Sequence, residues 1–126
     1  MIAHLRDQVL HLDRFAGPVA LVAMLDEEAR EPYVLAAAGG TGALREELRR
    51  TAADGFALER GRHQPLIASL SRAVLSHRGL PVCALTLVGL ESDLDDARLP
   101  ALRDALARAT ARLAEVITQR VGDDAA

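Results

Sequence analysis

The chain has 126 residues, half of them hydrophobic, which is enough for one domain with a buried core and too little for two ordinary ones. All 15 basic residues are arginine, and they alternate with carboxylates in "LREELRR" and "LERGR", leaving a formal charge of −3. Without clustered cations the chain cannot grip phosphate, so duplex DNA is excluded as its direct partner. The apolar runs are too short to cross a bilayer and the first residues lack a signal-peptide layout, so no membrane contact and a cytoplasmic location are expected. The lone Cys83 agrees with a reducing compartment and reads as a small core residue.

Ile2, Leu5, Val9 and Leu12 recur at helical spacing and predict an amphipathic helix from Ile2 to Phe15. "VALVAMLD" and "PYVLAAAGG", joined by the polar "EEARE", read as a β-hairpin over Val19 to Ala38. "GALREELRRTAAD", Gly42 to Asp54, is rich in helix formers, places Glu46 four residues before Arg50, and has a glycine just past its end at Gly55. Three strands follow, at Phe56 to Arg60, Leu66 to Leu75 and Leu80 to Gly89, with "SHRG" turning between the last two. The final helix, Asp95 to Arg120, carries Leu99, Leu102, Leu106, Ala109, Leu113 and Val116, a stripe that packs on the protein's own sheet and can also meet a symmetry mate. The order helix, two strands, helix, three strands, helix gives an α+β fold: an antiparallel sheet of about five strands with N- and C-terminal helices packed on it.

Chemistry-bearing residues are sparse. His4, Asp7 and His11 share one face of the first predicted helix but have no fourth ligand in sight, so a solvated face is expected there and no metal. Ser69, Ser71, His63 and His77 lie on or near one strand, yet there is no G-x-S-x-G elbow and no paired base with its orienting carboxylate. No catalytic residue and no enzyme activity are expected. "AAAGGTGA" lacks the Lys-Ser/Thr of a phosphate loop and reads as a turn before a helix, so no cofactor is expected either.

Thr86 stands in an apolar strand. With Val82, Ala84 and Val88 it shares one face, while Cys83, Leu85 and Leu87 form a uniformly apolar face suited to helix packing. Ser69 and Ser71 share a face of the neighbouring strand, so Thr86 either lines a pocket or bonds across to a serine.

From Gly55 to Leu99, "GFALE", "PLIASLSRAV" and "GLPVCALTLVG" follow one another in the order and spacing of Gly-Tyr-Ala-x-Asp, Pro-Gly-x-x-Ser-x-Ala-x-Pro-Val and Ala-Leu-Ser-x-Ser-Gly. In this the chain resembles the C-terminal effector-binding domain of the IclR family of bacterial transcriptional regulators, and with the flanking helices the similarity runs from Leu44 to Arg120. The resemblance implies a single GAF-like (profilin-like) domain over residues 1–126 that senses a small metabolite and forms a homodimer or larger homo-oligomer. It also implies that DNA is contacted only through a separate helix-turn-helix domain absent from this chain. The family's ligand-holding positions fall on Glu59, Ser69, Thr86 and Val88, which favours a pocket wall for Thr86. A dimerisation scaffold of the roadblock or profilin kind, with the same helix and strand order, is the alternative. The chain departs from the family pattern at three places: Leu66 stands for the usual glycine, Arg72-Ala73 for Ala-Pro, and Val88 for a common hydroxyl. A family segment that covers the effector site, between the first hairpin and the helix near Gly42, is expected to be missing.

Overall fold

The computed structural model describes residues 12, 14–37 and 41–125. Its elements run α1 (Ala16–Val22), α2 (Glu27–Ala36), α3 (Thr41–Asp54), β1 (Ala57–Arg60), β2 (Ile67–Leu75), β3 (Pro81–Leu90) and α4 (Leu99–Ala125). The expected helix over Ile2 to Phe15, with His4, Asp7 and His11, lies almost wholly outside the described residues.

The main correction falls on the expected hairpin, whose described residues form α1 and α2 instead of two strands. A continuous apolar run carries no period of its own, so "VALVAMLD" cannot separate strand from helix. In the fold Ala16, Val19, Ala20 and Ala23 face the core at helical spacing. "EEARE" is helix chemistry: Asp26 caps α2 by accepting from the Ala29 N–H at 2.9 Å, and Glu27 and Glu28 complement the positive end of the helix dipole. Arg30 then donates from Nε to the Leu25 carbonyl at 2.8 Å and from Nη2 to the Ala23 carbonyl at 2.9 Å. It thereby satisfies carbonyls just past the end of α1 and locks the two helices together.

Among the described residues the sheet has three strands, not about five, in the order β1-β2-β3 and all antiparallel. β2 is central and almost wholly buried. The turn after it is the one expected: the Ser76 N–H bonds the Leu80 carbonyl at 2.8 Å, with Gly79 in the left-handed region at φ 77°. A register shift between Val74 and Leu75 marks a bulge at that end. Cys83 is half-buried on β3. Because the first hairpin is absent among the described residues, the helix and strand order that pointed to a roadblock or profilin scaffold does not hold.

Each face of the sheet has its own core. On one, α1 brings Val19, Ala20 and Ala23 together with Val34 of α2, Leu44 and Leu48 of α3, and Ala57 of β1, with Ala84 of β3 packed against them. On the other, Leu99 and Leu106 of α4 meet Ala68 and Leu70 of β2, joined by Leu58, Leu85 and Leu102. The α4 stripe packs only in its first half: Leu106 and Thr110 are buried, whereas Val116 is exposed. A helix of 27 residues runs to about 40 Å, longer than the sheet it rests on. No helix among the described residues is long and apolar enough to cross a membrane.

Candidate functional site

Strand register brings the expected site residues onto one face. Ala57, Ser71 and Thr86 form one row across the three strands, and Glu59, Ser69 and Val88 form the next. This is the face on which α1 lies. Gly17 of α1 comes so near that a Cβ there would sit 3.6 Å from the Thr86 Oγ1. α1 thus approaches this face at the Thr86 row, while Thr86 itself stays exposed.

The hydroxyls do meet across the strands. Ser71 Oγ lies 2.9 Å from Thr86 Oγ1 and 3.2 Å from the Leu85 carbonyl. Ser71 is fully buried and has one proton to give. With that proton on the Leu85 carbonyl, Thr86 is the donor in the pair, and its lone pairs remain for another partner. In the next row the buried Glu59 carboxylate accepts from the Ser69 hydroxyl at 3.4 Å through Oε1 and from the Arg62 N–H at 2.8 Å through Oε2. Arg62 also donates to both carboxylate oxygens of Glu47 on α3, at 3.1 and 2.7 Å. Glu59 thus fixes the β1–β2 turn while presenting charge beneath the sheet face. Val88 is 70% exposed and forms an apolar shoulder.

All four expected residues are brought to one face, yet they differ in access: Glu59 and Ser69 are buried, Thr86 and Val88 are not. Chemically the row offers acceptors and one apolar wall. Ser71 and Gly17 were absent from the expected set. Ser71 was legible as the cross-strand partner of Thr86, but Gly17 fell between the expected helix and the expected hairpin, where no element was read.

No family model matches the sequence, and no curated protein does so. Solved structures match it by fold. The Thermotoga maritima IclR superposes with a TM-score of 0.78 at 16% identity, over 85% of this chain and 47% of that one. The C-terminal domain of the Escherichia coli transcriptional regulator KdgR gives 0.77 at 15% identity, over 85% and 71%. The inducer-binding domain of the Acinetobacter transcription factor PobR, a double mutant in complex with 3-hydroxybenzoic acid, gives 0.73 at 16% identity, over 83% and 66%. The chain spans about half the length of the first solved chains it matches. At these identities the likeness is one of fold, and the fold it shows is that found in IclR-family transcriptional regulators.

Proposed function

We propose that this chain is the effector-binding domain of an IclR-type transcriptional regulator, a single GAF-like domain that senses a small molecule and performs no catalysis. The observation that carries the reading is the pair of polar rows, Ser71–Thr86 and Glu59–Ser69, on the α1 side of the sheet in a fold shared with regulator domains, one of them solved with an aromatic hydroxy acid bound. The Thr86 hydroxyl, the buried serines and a carboxylate beside an apolar shoulder are what orient a small ligand in a mostly apolar cleft. Because the rows present acceptors, the effector carries hydroxyl or amine donors.

Ligand bound on the sheet beside α1 would bias the position of α1, and a DNA-binding domain joined to this one would read that shift as a changed grip on its operator. The reading includes a homodimer, in keeping with the apolar residues that β3 and the far half of α4 leave outward, among them Val82, Leu90 and Val116. Light scattering at tens of micromolar tests this, and a monomer mass would count against it.

The site is tested by titrating small phenols and diols into labelled protein and following the amides of Ser71 and Thr86. Saturable shifts that weaken in Thr86→Val by about 0.5 to 1.5 kcal/mol are expected, the size of one hydrogen bond. Ligands that bind with equal affinity to wild type, Thr86→Val and Glu59→Gln would withdraw these residues from the site.

A further inference from the structure

The opposite face of the sheet carries a second polar constellation that the effector reading does not use. Arg72 sits in the middle of β2 on the α4 side, in line with Leu70 and Val74, both essentially buried. A guanidinium in such a row has to find partners for its charge and its N–H groups. Nη1 donates to the Gly55 carbonyl at 3.2 Å, and Cζ stands 4.7 Å from the centre of the Phe56 ring. Arg103, from α4, places its own Cζ 5.2 Å from the same ring. One phenyl group therefore serves two cations.

The charges in this cleft are unevenly matched. Arg103 forms a forked pair with Asp54 at the end of α3, at 3.2 and 3.0 Å, yet its Nε is buried and bonds nothing among the described residues. Asp96 is held by Arg60 at 3.0 Å. Arg72 has no carboxylate partner among the described residues, and it occupies the position at which the resembling strand has alanine. Between these groups lies a cleft of about 630 Å³ whose apolar wall is Leu99, Pro100 and Ala107 of α4. Asp104, at its edge, is exposed.

We infer that the Phe56–Arg72–Arg103 cleft is a binding site for a small monocarboxylate with an apolar body. The free N–H groups of Arg72 supply the planar fork that a carboxylate matches with two parallel hydrogen bonds. The hydrocarbon part lies against Leu99 and Pro100. Asp104 repels a dianion more than a monoanion, which favours a carboxylate over a phosphate monoester. The site is on the far side of the sheet from Thr86, so it stands or falls apart from the effector reading.

The test is a titration of the full chain with sodium isobutyrate and, separately, with inorganic phosphate, followed by amide and arginine Nε–H resonances. Isobutyrate should give saturable shifts at Gly55, Phe56, Arg72 and Arg103 in the millimolar range, with phosphate weaker. Arg72→Lys keeps the charge and loses the fork, and should weaken binding about tenfold; Arg72→Gln, checked for folding by circular dichroism, should abolish it. Linear, non-saturating shifts would overturn the inference, as would equal binding by folded Arg72→Gln. Shifts centred on Ser71 and Thr86 would move the acid to the other face and equally sink it.

Discussion

Leu66 is the third residue of the turn Gln64–Pro65–Leu66–Ile67, closed by the Ile67 N–H on the Gln64 carbonyl at 3.2 Å, and its φ is 69°. Proline second and a positive φ third is the type II pattern, which calls for glycine at the third position. It is also the position at which the family resemblance has glycine. A left-handed conformation costs a residue with a Cβ about 1–2 kcal/mol, whereas glycine gives back about 0.5–1 kcal/mol through the entropy of its unfolded chain. Leu66 is 72% exposed, so removing its side chain forfeits little burial. Leu66→Gly is therefore expected to stabilise the domain by roughly 0.5–1 kcal/mol, a rise of about 2–5 °C in Tm at this size. Urea denaturation should show a higher midpoint at unchanged slope. Leu66→Asn, tolerant of the same conformation, should gain as well, and Leu66→Ala should not. A lower midpoint for Leu66→Gly, or a gain as large for Leu66→Ala, would refute the reasoning; the second result would assign the effect to lost apolar surface.

Three further outcomes follow from the packing. In a double-mutant cycle, Ser71→Ala and Thr86→Val should each cost about 0.5–1.5 kcal/mol and show a coupling of at least about 0.5 kcal/mol; additive effects in urea melts would mean that the 2.9 Å contact contributes nothing. Gly55→Ala should cost at least about 1–2 kcal/mol, because φ there is 86° and the new Cβ would stand 2.4 Å from Arg72 Nη1; an unchanged midpoint contradicts this. The Arg49 hydrogen bond holds the Glu46 carboxyl below its ordinary range, so whatever the pair contributes is present above the usual glutamate pKa and lost as pH falls through the lowered one. A carbon-detected titration should find Glu46 low in wild type and restored in Arg49→Ala, and an unaltered Glu46 in that variant would assign the shift elsewhere.

That last pair also shows how sequence spacing differs from tertiary choice: Glu46 was expected opposite Arg50 and instead bonds Arg49, one residue nearer on the same helical surface. The sequence by itself determined the half of the chain whose pattern is periodic or punctuated. The α3 helix was legible from its helix formers and the closing Gly55. The three strands were legible from bounded apolar runs, with "SHRG" as a turn. Alternation alone placed Thr86 and Ser71 on one face and Leu85 on the other, as the hydrogen bond and the α4 core require. What it could not determine was the state of Val19 to Ala36. An unbroken apolar run satisfies helix and strand equally, and the choice is made by side-chain partners: the Arg30 staple to the carbonyls just past α1, Val34 and Leu48 in one core, and α1 against the alanines of β1 and β3. From that choice came the rest, including three strands and not five among the described residues, a helix close to the Thr86 row, and an arginine on the opposite face whose partners, Phe56 and the Gly55 carbonyl, only the fold brings within reach.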